Sequence, residues 1–143
     1  MRPGTWAELD AKFARYPFLR AGAVEPAEVD AASGVVGLKF PEDYREFLLR
    51  HGGAIVGPYP VFGVRPVEAM GNEWSVVEMT KRFRSDRWSG TDDWVIISAD
   101  HAGNPVGIDR DGRVWVSDHD LGGISLAADG FEDFLKRRCL GSA

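Results

Sequence analysis

The chain reads as a single α+β domain with a mixed, mostly antiparallel sheet and flanking helices, and three observations predict it. Residues 41–53 write a helix complete with start, apolar stripe and stop. Asp111-Gly112 stands between two β-forming runs as a two-residue hairpin loop. The order of elements is helices, strands, a helix, a meander of strands and a closing helix, without the regular βα alternation of a doubly wound sheet. At 143 residues the chain makes one domain that buries roughly two-thirds of its unfolded surface, enough to fold without staples.

Thr5-Trp6-Ala7-Glu8 has capping-box spacing, and Trp6, Leu9 and Phe13 repeat at helical intervals, which predicts a first helix over 5–16 that stops before Pro17. A second begins at Pro26 and covers 26–34 with Val29 and Ala32 inward. In the third, Pro41 suits the first helical position, and Glu42 and Asp43 complement the positive end of the macrodipole. Tyr44, Phe47, Leu48 and His51 share one stripe, and Gly52 can take the left-handed conformation that ends a helix.

Between 54 and 67, β-formers are broken by Gly57, Pro58, Pro60, Gly63 and Pro66, the pattern of short, bulged or edge strands. The spacing of Trp74, Val77 and Met79 predicts a fourth helix from Trp74 to Phe83, followed by a loop at 89–93. Trp94-Val95-Ile96-Ile97-Ser98 reads as a central strand. The Asp111-Gly112 hairpin sets Ile108 opposite Trp115, Val106 opposite Ser117, Gly107 opposite Val116 and Asp109 opposite Val114. Apolar residues fall on both faces, so the sheet is covered on both sides, at least in part. Ile124-Ser125-Leu126 makes a last strand, and Asp129 N-caps a helix with Phe131, Phe134, Leu135 and Cys139 inward.

The formal net charge of −5 is unevenly spread. Residues 86–133 carry ten Asp and one Glu against three Arg, a balance of −8, while the rest of the chain sums to +3. Such a block repels nucleic acid and steers a basic partner, or it is the solvated Asp of turn-rich β segments. No apolar run approaches the roughly 18 residues that span a bilayer, and the N-terminus has no apolar export segment, so a cytoplasmic protein is expected. The single cysteine, Cys139, rules out an internal disulfide and multi-cysteine metal sites, and its place on an apolar helix face marks a buried, inert thiol.

Asp100-His101 and Asp118-His119-Asp120 each follow a strand and, if brought together, have the groups for a divalent cation or acid–base chemistry; Asp-His at a strand end is more often a turn with its own backbone hydrogen bonds. Lys81, Arg82, Arg84 and Arg87 interleave with Phe83 and Trp88, a mixture able to grip single-stranded nucleic acid or simply to end a helix. Gly-x-Ser-x-Gly, a phosphate-binding loop and the dinucleotide fingerprint are absent.

Three pieces together resemble the SUKH superfamily, the Smi/Knr-type domains common among bacterial immunity proteins and related to fungal cell-wall regulators. The first is Phe40-Pro41-Glu42-Asp43-Tyr44 with Phe47-Leu48 and Gly52-Gly53, Phe40 replacing the usual Leu. The second is the hairpin Asp111 to Ser117 ending in Asp118-His119. The third is Phe131-Glu132-Asp133-Phe134-Leu135. The match runs from about residue 25 to the end, leaving 1–24 as a helical N-terminal extension and 67–92 as a family insertion with an extra helix. Pro41, Tyr44, Phe47, Leu48, Gly52, Gly53, Phe131, Phe134 and Leu135 are then scaffold.

The resemblance implies a non-enzymatic immunity protein, without cofactor, that binds and neutralises a cognate toxin, often a nuclease. A regulatory or scaffold module of the same fold is the alternative, and a metal-dependent enzyme using the Asp-His pairs a remote third. On the first reading Asp86, Asp92, Asp93, Asp109, Asp111, Asp118 and Asp120 face a basic partner protein, with Trp88 or Trp94 as aromatic anchor. Direct nucleic-acid or membrane binding is not expected.

Overall fold

The computed structural model describes residues 1–120 and 122–141. Helices α1 (Pro3–Arg15), α2 (Pro26–Val36) and α3 (Glu42–His51) lead into a two-stranded hairpin, β1 (Ala54–Val56) and β2 (Tyr59–Val61). Helix α4 (Val76–Ser85) precedes a meander of β3 (Val95–Ala99), β4 (Pro105–Ile108), β5 (Val114–Asp118) and β6 (Gly123–Ala128) in spatial order 3-4-5-6. Helix α5 (Phe131–Phe134) closes the chain and widens into a π-helical turn at Leu135–Cys139. Both sheets are antiparallel, and the parallel pairing described is the single bridge Gly63–Ser75. Among the described residues no helix is long and apolar enough to cross a membrane.

The 41–53 stretch is the centre of the fold. Pro41 is the extended residue just before α3, not its first helical residue, because its carbonyl takes the Arg45 N–H and starts the ladder. Tyr44, Phe47 and Leu48 are fully buried. The Tyr44 and Phe47 rings meet Phe131 edge-on at 5.2 and 5.4 Å, which joins α3 to α5. Burying each such ring contributes about 1.5–3 kcal/mol. The Tyr44 hydroxyl donates to the Phe62 carbonyl at 2.6 Å, and burial raises its pKa well above the ordinary phenol value. Phe134 and Leu135 are buried with Cys139 behind them.

Gly52 ends α3 with φ 72°, as the left-handed cap requires. Its carbonyl accepts the N–H groups of Val64 and Arg65, while Gly22 and Ala21 donate to the carbonyls of His51 and Gly53. A Cβ on Gly63 would overlap the Gly52 carbonyl oxygen. The Gly52-Gly53 pair is thus where three backbone segments cross.

Several expectations are corrected. Helix α1 starts at Pro3, because Pro suits a first turn and Thr5 does not cap it: the buried Thr5 hydroxyl donates to Glu132 at 2.7 Å, and the Arg2 N–H joins it at 2.8 Å. Helix α4 starts two residues after Trp74, where the Ser75 hydroxyl accepts the Glu78 N–H at 3.2 Å; its inward residues are Val76, Met79, Thr80 and Phe83. Helix α5 follows Gly130, and the Asp129 N–H donates weakly to Asp133 in place of an Asp129 cap.

The hairpin register is slipped by one. Val106 pairs with Val116, Gly107 with Trp115 and Ile108 with Val114. The cause is Asp109, whose carboxylate accepts the N–H of Asp111 at 2.9 Å, of Arg113 at 3.0 Å and the Trp115 indole N–H at 2.9 Å. Asp109 and Arg113 close a three-residue loop with Gly112 at φ 85°, so the turn is longer than Asp-Gly alone suggests. Cover on both faces is real in part: the buried Trp94 lies against Gly107, where a Cβ would come within 2.7 Å of it.

Strand β3 is terminal in the sheet and not central. Its outer edge is nevertheless covered. The Phe62 N–H donates to the Ile97 carbonyl at 2.7 Å, and the Thr80 hydroxyl accepts the Ile96 N–H at 2.9 Å. Buried on both sides, the strand carries an unbroken apolar run.

Candidate interaction surface

The antiparallel meander decides where the acidic residues go. Val95 pairs with Ile108, Ile108 with Val114 and Val114 with Ala128, so the loop before β3, the 109–113 turn and Asp129 gather at one end of the sheet. Ala99 pairs with Pro105 and Asp118 with Gly123, which sends Asp100, Asp118 and Asp120 to the other end. Strands of this length hold the two ends about 15 Å apart. The expected single surface is therefore two clusters.

At the first end Asp92 and Asp93 are exposed in a short 3₁₀ turn, Asp111 is exposed at the hairpin tip, and Asp86 is exposed just after α4. Asp109 is half-buried and engaged in its own turn. At the second end Asp120 is exposed, and its N–H donates to the half-buried Asp118 at 3.0 Å. Trp88 is half-buried between Phe83 and His119, with ring centres 5.5 and 5.0 Å away. Trp94, offered as an alternative anchor, is 4% exposed and packed on the sheet, so a partner cannot reach it.

The two Asp-His pairs stand side by side but do not converge. Asp100 accepts N–H bonds from Ala102 and Asn104 at 3.0 and 2.9 Å and the Asn104 amide at 3.1 Å, the geometry of a turn. Asn104 in turn accepts the His119 N–H at 3.3 Å. The imidazoles go to different aromatic partners, His101 stacking on Tyr59 at 5.8 Å and His119 meeting Trp88. Among the described residues no three His, Cys, Asp or Glu side chains are placed to hold a metal ion. The Cys139 thiol is buried, and desolvation pushes its pKa up to about 12.

The basic-aromatic strip is likewise taken apart. Arg84 turns inward and donates to the carbonyls of Val36, Trp94 and Thr91 at 2.7, 3.0 and 3.2 Å. Arg82 pairs with Glu73 at 3.2 Å, and Phe83 is buried. What remains exposed does not make a stacking platform.

Two features lie outside the candidate site residues, although the sequence placed both in elements of the fold. Strand β6 is the far edge of the sheet, with Gly123, Ile124, Ser125 and Leu126 all exposed. Its sequence signal is the absence of any charged residue between Asp120 and Asp129. Between α1 and the end of α3 a cleft of about 550 Å³ is lined by Asp10, Phe13, Arg20, Arg50 and His51. His51 is 3% exposed and its Nε2 has no hydrogen-bond partner among the described residues, the Asp10 carboxylate standing 3.7 Å away. Burial, reinforced by Arg20 and Arg50 against the pull of Asp10, lowers its pKa to about 4. Aromatic neighbours Phe13 and Phe47 hold the ring at 4.7 and 5.4 Å.

No curated protein matches the chain. A family model does: the one described as SMI1 / KNR4 family (SUKH-1) matches residues 23–137, a span from just before α2 into the final helical turn.

Proposed function

From the premise that the chain belongs to the SMI1 / KNR4 family (SUKH-1), we propose that it is a non-enzymatic immunity protein that binds a cognate toxin with a basic surface, such as a nuclease. The family supports a module of the immunity or regulator type. The observation that carries the finer reading is the exposure of acidic side chains at both ends of the sheet, Asp92, Asp93 and Asp111 at one and Asp120 at the other. Such a surface accelerates encounter with a cationic partner and repels nucleic acid itself. Asp86, Asp118 and the exposed part of Trp88 extend it. We place 1–24 and 67–92 as additions to the family core. The start of the match at residue 23 supports the first; the 67–92 segment, which the match spans, holds α4, Trp88 and Asp92.

Co-expression with the C-terminal domain of a toxin-like protein encoded beside this gene tests the reading. The expected outcome is host survival and recovery of a stoichiometric complex whose affinity falls steeply from low to physiological ionic strength. Folded protein that neither rescues nor binds would overturn it in favour of a regulatory module with another cellular partner.

A further inference from the structure

Among the described residues the open edge of the sheet is interrupted by one bulge and is otherwise guarded by neither charge, proline nor cover. Natural edge strands are blunted by Lys, Pro, inward charges or covering segments. Between Gly122 and Ala128 there is no charged residue and no Pro. Among the described residues no other strand pairs with the outer side of β6. Ile124 and Leu126 are 49% and 46% exposed, large apolar side chains two apart and therefore on one face of the strand. They continue the row of Ser117 and Trp115 on β5. A bulge next to Leu126 ends the regular pairing, so Gly123–Leu126 is the flat stretch available to a further strand.

Charge chooses the occupant. Residues 114–128 contain Asp118 and Asp120 and no Lys or Arg, and Asp129 follows immediately. Asp120 and Asp129 are exposed and bracket the flat stretch at its two ends. A second copy is disfavoured. In antiparallel pairing about Ser125 the Asp120 end of one copy would lie against the Asp129 end of the other, and a parallel pairing would set like ends together. A segment with aliphatic residues at alternate positions and Lys or Arg beyond them satisfies both the apolar row and the acidic ends.

We infer that β6 is a docking edge for an extended, basic-flanked strand of a partner protein, which adds to the four-stranded sheet beside Ile124 and Leu126. Backbone hydrogen bonds supply the affinity of such an addition, and the alternating side chains its selectivity. The inference deepens the immunity reading, since it names where and how the basic partner is held.

The test is selection of short random segments displayed on phage against the full chain, with counter-selection on the double variant Ile124→Lys, Leu126→Lys, whose fold is checked by circular dichroism and thermal unfolding. The expected result is enrichment of segments alternating aliphatic residues and carrying Lys or Arg, bound about tenfold more weakly by the double variant and more weakly at raised salt. Asp120→Asn should weaken the basic-flanked segments without abolishing them. Failure to enrich any segment, or enriched segments that bind the folded double variant equally well, would overturn the docking edge. Concentration-dependent dimerisation lost in the double variant would overturn it in favour of a second copy. Neither outcome touches the co-expression experiment, whose failure would remove the toxin and leave a strand-binding module.

Discussion

The two edges of the four-stranded sheet have been treated in opposite ways. At β3 the outer edge is closed by parts that are not strands of that sheet: the Phe62 N–H on the Ile97 carbonyl and the Thr80 hydroxyl under the Ile96 N–H. At β6 nothing described closes the edge, and two large aliphatic side chains stand half in solvent. The contrast teaches that covering an edge takes long-range architecture. Here it takes the strap from Val61 to Arg65, held over Gly52, and helix α4, held by its Ser75 cap. A protein able to close one edge so fully has left the other available, which is the economy expected of a binding module.

The largest effect should come from breaking the strap where it crosses α3. Gly63→Ala places a methyl group on the Gly52 carbonyl oxygen, backbone against backbone, so the strap must lift. Loss of more than about 4 kcal/mol is expected, read as unfolding or a collapse of the thermal midpoint. A variant of near-native stability would show that the strap is not what holds the β3 side together.

Acid should loosen the same side next. His51 adjoins the Gly52 crossing, and its pKa of about 4 in the fold lies below the ordinary 6.5. Between those values the unfolded chain binds the proton and the folded one resists it, so stability is complete above pH 6.5 and declines as pH falls toward 4. The decline is on the order of 3 kcal/mol. Denaturant midpoints measured across that window should fall, and His51→Gln should flatten the fall. The carboxylates Glu28, Asp30 and Glu132 also have lowered pKa values, so acid weakens their contribution too, and the difference between parent and His51→Gln isolates the histidine. Smaller again is Thr80→Val, which keeps the shape but leaves the buried Ile96 N–H unpaired at a cost of about 1–3 kcal/mol; Thr80→Ser should restore most of it.

What was legible in the sequence divides along the same line. Helix α3 could be read because its acidic start, stripe and Gly52 stop are all local. The partners of Asp43 and Thr5 could not: Asp43 accepts the Glu132 N–H at 3.2 Å across a separation of 89, and Thr5 reaches the Glu132 carboxylate across 127. Strand β3 looked central because its sequence records burial and not the identity of the cover. The hairpin slipped by one because the Asp109 side chain competed with the strand ladder for backbone N–H groups. The acidic residues looked like one surface because they are near in sequence. In an antiparallel meander successive turns fall at opposite ends, so the predicted hairpin already argued for splitting them.

The smallest effect sharpens the comparison most. Ile124→Lys with Leu126→Lys changes two exposed side chains on an edge with no described cover, so stability should stay within about 0.5 kcal/mol of the parent. Native-state hydrogen exchange supplies the matching measurement. The Ile96 amide, buried and bonded to Thr80, should exchange only with global opening, whereas the amides of Gly123–Leu126 should on average exchange faster through local fluctuation. Equal protection at both strands would mean that β6 is covered in solution and that the two edges are alike. Unequal protection, with an inert double substitution at β6, would mean the edge is kept open at little cost to the fold, and its aliphatic pair then has no structural reason to be there.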